Sequence, residues 1–263
     1  MASSMNDSNE TTPPVTLASP FSWLARGWMD MQRNPGPGLL HGLLLSLFGA
    51  LLYWFARDEF WLLAGAFSGL LIVAPVLATG MYAVSRAGEQ GRYIGMGEII
   101  ALWRGRDPRL VRFGLLLGLA GTGWVLTSAG LITLLSTVPV SKPIDFLRHV
   151  VLGESSLLFE IWLLLGAVLA APVFASSVLT IPLLVDTDYP LWQAVRLSWR
   201  AVADHPAPLA LWASLIVLLV LVGLLSQLLG LVLVVPLLGH ASWHAYRDLT
   251  TSRPQPLGAV RGG

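Results

Sequence analysis

Long apolar runs alternate along this chain with short stretches that hold nearly all of its charge. The first run is Leu39–Phe55, and a second, Phe60 to about Val84, follows after Ala56-Arg57-Asp58-Glu59. That spacing predicts two spanning helices joined by a tight turn. Two further runs, Phe113 to Val138 and Leu157 to Val185, each exceed the roughly 20 residues that a hydrocarbon core of about 30 Å requires. The last, Ala207 to about Tyr246, carries no formal charge over twice the length of one crossing, so it predicts two short spans turning near Ser226-Gln227.

A different kind of segment precedes each pair of spans. Phe21, Leu24, Trp28 and Met31 recur at helical spacing, with Ser22, Arg26, Asp30 and Arg33 on the opposite stripe, which predicts an amphipathic helix ending at Asn34-Pro35. Met96–Arg104 repeats the idea with Ile99, Ile100 and Trp103 and stops at Asp107-Pro108. Trp192, Val195, Trp199 and Val202 face away from Gln193, Arg196 and Arg200, and that helix stops at His205-Pro206. The spacing from Trp28 to Pro35 recurs from Trp199 to Pro206. Pro75 and Pro236 likewise stand at the same distance before Arg86 and Arg247, and Pro182 sits in a similar context. Three copies of an amphipathic helix plus a two-span hairpin are the simplest account.

Basic residues set the orientation, because Arg and Lys are retained on the cytoplasmic side. With six spans and both termini inside, all of the 16 except Arg57, Lys142 and Arg148 are cytoplasmic; five spans would export Arg247, Arg253 and Arg261 as well. The expected fold is an all-α, polytopic bundle of six transmembrane helices in a bacterial inner membrane, with three interfacial helices on the cytoplasmic side. Residues 1–19 read as a flexible N-terminal tail, 20–250 as one integral membrane domain and 251–263 as a C-terminal tail. Most of the eleven tryptophans fall near span ends, among them Trp54 and Trp61 at the outer turn and Trp23, Trp28, Trp103, Trp192, Trp199 and Trp243 at the inner face, as an aromatic belt would.

Composition then narrows the chemistry. Hydrophobic residues make up 55% of the chain and charged residues 12%, about half the charge of a soluble domain, so a water-soluble globule is excluded. Zero cysteine removes disulfides, thiol nucleophiles and thiolate metal sites. The basic residues abut apolar segments instead of forming a basic domain, which argues against nucleic acid as a partner. No G-x-S-x-G, H-E-x-x-H or phosphate-binding glycine loop occurs, so no catalytic, cofactor or metal residue is assigned and the expectation is a protein that is not an enzyme.

Individual residues still merit attention. Glu160 is the ionisable exception within a span and lies a turn inside its outer end, within reach of headgroups. Pro75, Pro172, Pro182 and Pro236 mark kinks or breaks. Gly42 with Ser46, Gly65 with Gly69 and Gly114 with Gly118 are small residues four apart, a spacing that favours close helix packing in lipid, within the chain or between copies. His240 and His244 share one helix face, and His41 and His205 fall at the same inner level. Such a set can present imidazoles to a metal or haem, or simply bond carbonyls and headgroups.

Three stretches, Trp23–Asp30, Ala74–Arg86 and the closing Gly239–Leu249 with its G-H-A-x-W-H-x-Y-R core, resemble an uncharacterised domain-of-unknown-function family of predicted bacterial integral membrane proteins. The resemblance extends from about residue 20 to 250. It implies an inner-membrane protein without an established activity, and members have been labelled cytochrome oxidase subunit I-like. An oxidase core has more spans and holds its histidines at mid-bilayer, whereas those here stand at helix ends, and no catalytic residue carries over.

The leading expectation is thus a non-enzymatic membrane scaffold that binds lipid, itself or another membrane protein. Two others remain: a metal- or haem-binding accessory factor of a respiratory complex using His240 and His244, and a transporter of a neutral or amphipathic molecule.

Overall fold

The computed structural model describes residues 14–105, 107–136, 138–153 and 157–251, with the side-chain surroundings of 60, 64 and 67–76, and so of Gly69 and Pro75, outside the description. The described chain is helical throughout, in a repeating order of short and long elements. Helix α1 (Ser19–Arg33) leads into α2 (Pro35–Ala56) and α3 (Phe60–Glu89). Helix α4 (Met96–Arg104) leads into α5 (Pro108–Leu135), followed by a short α6 (Pro143–Phe146) with a π-helical turn (Leu147–Val151), then α7 (Leu158–Ser177) and α8 (Thr180–Asp186). Helix α9 (Leu191–Asp204) leads into α10 (Pro206–Leu225) and α11 (Leu231–Thr251).

Proline sets three of these boundaries. Pro35, Pro108 and Pro206 each sit in the first turn of a long helix, where a missing N–H costs nothing and the fixed φ suits helix entry. Their effect on the preceding residue ends the short helices at the expected places. Among the described residues, four helical stretches are long and apolar enough to cross a membrane: α2, α5, α7 with α8, and α10. Glu160 lies in the first turn of α7 and is exposed. The uncharged stretch from Ala207 does fold as two helices, and between them Gln227 (φ 56°) and Leu228 (φ 70°) take the left-handed conformation that reverses the chain over five residues.

Helix α11 is the hub, packed against α1, α2, α3, α8 and α10. Its seam with α2 is written in small residues. A methyl on Gly38 would stand 2.9 Å from the Pro236 Cβ, and one on Gly42 would stand 2.3 Å from the Val232 carbonyl oxygen. One step further on, the Ser46 hydroxyl donates to the Leu228 carbonyl at 2.6 Å. Each four-residue step along α2 is answered by four residues back along α11 and the turn before it, an antiparallel register made possible by the missing side chains. Pro236, lacking an N–H, leaves the Val232 carbonyl without its helical donor, and Gly42 brings its Cα up against that oxygen. The Gly42–Ser46 pair is therefore used inside the chain. Gly114 and Gly118 are buried on α5, while Gly65 faces open space.

The break between α7 and α8 follows from Pro182, whose ring opposes a helical carbonyl four residues earlier, at Val178. Ser198 of α9, fully buried, repairs it: its hydroxyl accepts from the Leu179 N–H (3.1 Å) and donates to the Ala175 carbonyl (2.7 Å).

The inward faces of the short helices differ from the expected stripes. On α1, Pro20, Trp23, Gly27 and Met31 are buried, whereas Phe21 and Trp28 are exposed. On α9, Ala194, Ser198 and Ala201 are buried and Trp192 and Trp199 are exposed; on α4, Ile99 is buried and Ile100 exposed. Close approach favours the slender side, as where Gly27 lets α1 come within 2.7 Å, measured from the position of an added methyl, of the Ala241 amide nitrogen. Ahead of α1, Val15 packs against the core.

Candidate functional site

Polar side chains gather where α1, α3, α8 and α11 meet, at the end of the bundle that holds the start of α1 and the close of α11. The last turns of α11 reach all three neighbours. Trp243 donates its indole N–H to Glu89 of α3 (3.0 Å), and Arg247 lies 3.6 Å from the same carboxylate. Tyr246 donates to Asp186 of α8 (2.7 Å), which also faces Arg86 of α3 at 3.4 Å. Asp248 accepts from the Trp23 indole (2.8 Å) and from both terminal nitrogens of Arg26, all on α1. The closing G-H-A-S-W-H-A-Y-R-D-L segment is thus a polar brace whose members reach different helices. The charged stripe of α1 supplies Arg26 and Asp30 to this brace.

His240 and His244 stand on one face of α11 but do different things. His244 bonds through Nε2 to Asp30 of α1 at 2.8 Å, with both side chains about nine-tenths buried. His240, fully buried, bonds through Nδ1 to the Ser85 hydroxyl of α3 at 2.8 Å, and Ser85 stands on the Asp30 side of the ring and helps to hold that carboxylate charged. Burial would raise the Asp30 carboxyl, but the hydrogen bonds from His244 and Ser85 and the nearby imidazole charge outweigh it and hold Asp30 below the ordinary carboxylate value.

A carboxylate can only accept, so with the Ser85 proton turned toward Asp30 the Ser85 oxygen accepts from His240 Nδ1–H. His41 makes the matching choice on α2: Nδ1 lies 2.7 Å from the Pro37 carbonyl, which can only accept. Both imidazoles therefore carry the lone pair on Nε2. Both Nε2 atoms are buried and without a hydrogen-bond partner, and the two rings are within electrostatic reach of each other. Trp103 of α4 closes over His41 edge-on at 5.1 Å between ring centroids.

His205 is not drawn into this arrangement; it stands half-buried at the corner between α9 and α10. Among the described residues, no three His, Asp or Glu side chains converge as a metal would need. Sequence reasoning placed His41 and His240 at one level but missed Ser85 and the part Asp30 plays, since the pattern of α3 gives no sign that its serine faces a histidine 155 positions away.

Two recesses accompany the brace. A cleft of about 220 Å³ beside Asp30 is bordered by Arg33, Asn34, Arg92 and Tyr93. A groove of about 240 Å³ between α5, α7 and α9 is almost wholly apolar, floored by Phe113, Leu117 and Val173 and edged by Trp192.

Residues 62–186 match a family described as "Predicted integral membrane protein (DUF2189)". The match includes the Ala74–Arg86 run, leaves the opening and closing motifs outside it and brings no oxidase description with it. No curated protein and no solved structure matches the chain. With this match across 62–186 and its long apolar helices, the chain is a multi-pass integral membrane protein, similar over that stretch to a family of unknown function.

Proposed function

We propose that the chain is a non-enzymatic scaffold of the bacterial inner membrane, with six spans (α2, α3, α5, α7 with α8, α10 and α11), both termini in the cytoplasm, and α1, α4 and α9 lying in the cytoplasmic leaflet to bind lipid or a membrane partner. The observation that carries this reading is the double character of the three short helices. Each buries one narrow face in the bundle and leaves aromatic or apolar residues outside: Phe21 and Trp28 on α1, Ile100 on α4, Trp192 and Trp199 on α9. Exposed Arg33, Arg104, Arg196 and Arg200 accompany them on the same helices. Aromatics with arginine at one depth are the composition of a headgroup interface, and arginine favours the anionic inner leaflet.

The recurring order of a short helix, a long helix begun by proline and a returning long helix supports a threefold repeat. The cleft bordered by Arg33 and Arg92 suits an anionic headgroup, and the groove edged by Trp192 suits an acyl chain or an apolar helix.

Reporter fusions after Arg104 and at the carboxyl end should both report the cytoplasm. In nanodiscs, lipids brominated near the headgroup should quench Trp192 and Trp199 more than lipids brominated at the chain ends. A periplasmic signal from either fusion defeats the topology. Solute flux catalysed by the purified protein in liposomes defeats the scaffold reading.

A further inference from the structure

The geometry points to a binding site for one soft monovalent cation, Cu(I), held by His41 Nε2, His240 Nε2 and Met81 Sδ where α2, α3 and α11 meet. A buried nitrogen lone pair without a donor is costly, and here two occur within electrostatic reach of each other. The site's approach surfaces are made by glycine. The point where a Gly38 methyl would stand is 3.5 Å from His240 Nε2 and 3.8 Å from Met81 Sδ. The corresponding point on Gly80, the residue before Met81, is 3.0 Å from His41 Nε2. His240 Nε2 and Met81 Sδ therefore both border Gly38, and His41 Nε2, three residues further along α2, borders Gly80 next to Met81, which is itself buried.

The outer partners are those a ligating histidine needs. His41 gives its Nδ1–H to a backbone carbonyl and His240 gives its own to Ser85, which is backed by Asp30. Each partner fixes the ring and leaves the Nε2 lone pair to bind. Because neither Nε2 carries a proton in this arrangement, loading displaces none.

Ligand chemistry selects the ion. Thioether with imidazole suits Cu(I); Zn(II) accepts the imidazoles but takes four ligands in a tetrahedron and does not favour thioether, and Mg(II) and Ca(II) require oxygen ligands that these three residues do not supply. A single positive charge among neutral ligands is matched by the Asp30 carboxylate, which stands behind Ser85, the partner of His240. The inference goes beyond the scaffold reading and does not depend on the number of spans.

The test uses the full-length protein in dodecyl maltoside, kept anaerobic with ascorbate and titrated with Cu(I) against bicinchoninate. One copper per chain should leave the chelator, and copper K-edge absorption should show a nitrogen and sulfur shell. Met81→Leu, which keeps side-chain volume and so the fold, should lose the sulfur scatterer and weaken binding at least tenfold. His41→Gln and His240→Gln should each abolish uptake, and His205→Gln should bind as the parent does. Copper left wholly on the chelator by the parent protein overturns the inference whether or not any variant folds. So does equal binding by Met81→Leu and the parent, uptake of Zn(II) without Cu(I), or a high-resolution structure of copper-treated protein with only a water between the two Nε2 atoms.

Discussion

The two helices of the last hairpin have opposite relations between apolarity and burial. Helix α10 is apolar on every side, yet beyond its first turns it leaves Val217, Leu218, Leu221, Val222, Leu224 and Leu225 exposed. Helix α11 carries two histidines, two aromatics, an arginine and an aspartate in its second half, and His240, Ala241, Trp243, His244, Ala245 and Tyr246 are all buried. In water that ordering would be reversed. In lipid a leucine gains little by leaving acyl chains for protein, so helices associate through close backbone approach and through hydrogen bonds that hydrocarbon cannot supply. The contrast locates stability in glycines and polar pairs, and mutations can break it there first.

The largest loss should come from the α2–α11 seam. Gly42→Val sets carbon 2.3 Å from the Val232 backbone oxygen, a clash that no side-chain rotation relieves because the obstacle is backbone. A destabilisation of about 3 kcal/mol is expected. Gly65→Val, on a glycine that faces open space, should be neutral in the same SDS unfolding titration.

Next comes the brace to α1. His244→Ala leaves the mostly buried Asp30 carboxylate without its imidazole partner, with an expected loss of about 2 kcal/mol. Asp30→Asn in that background should recover part of it, since a neutral amide costs less to bury than a charge. Full additivity of the two changes in a double-mutant cycle would falsify the coupling. Arg26→Ala should weaken the same joint less, its partner Asp248 keeping the Trp23 indole.

Acid should act on the same joint with a defined sign. The Asp30 carboxyl is held below its ordinary value, so its contribution is fully present above about pH 4 and is lost as pH falls through the folded value. The parent protein should therefore melt earlier in detergent as pH drops from about 5 toward 3, and Asp30→Asn should flatten that slope. An unchanged slope in Asp30→Asn assigns the acid sensitivity to other carboxylates.

These effects show which part of the structure can be read from residue order. Helix boundaries at Asn34-Pro35, Asp107-Pro108 and His205-Pro206 were legible because proline acts locally, and the reversal near Ser226-Gln227 because forty uncharged residues exceed one crossing. The facing of α1 was not, since periodicity finds the apolar stripe and this helix turns Gly27 and Trp23 inward while leaving Phe21 and Trp28 outside. Nor was the division of labour between His240 and His244. Their shared face suggests a shared ligand, but Asp30 and Ser85 arrive from two other helices and engage them separately. Of the candidate site, residue order yielded the histidines and their depth, while the orphaned nitrogens, the glycine junction and Met81 depend on helix contacts far apart in sequence.

The smallest effect is expected on α10, and it is the most direct check on the comparison. Leu218 is 57% exposed on a face with no helix against it in the described chain. Truncating a buried core leucine to alanine costs about 2–5 kcal/mol, mostly through transfer and cavity terms. At Leu218 neither term applies in lipid, because acyl chains fill the space and solvate the remaining methyl as they did the leucine. Leu218→Ala should melt with the parent in nanodiscs, and Val217→Ala should do the same. A loss near the core value would place a protein surface on α10, and the exposed leucines would then be a partner's contact face and not a lipid face.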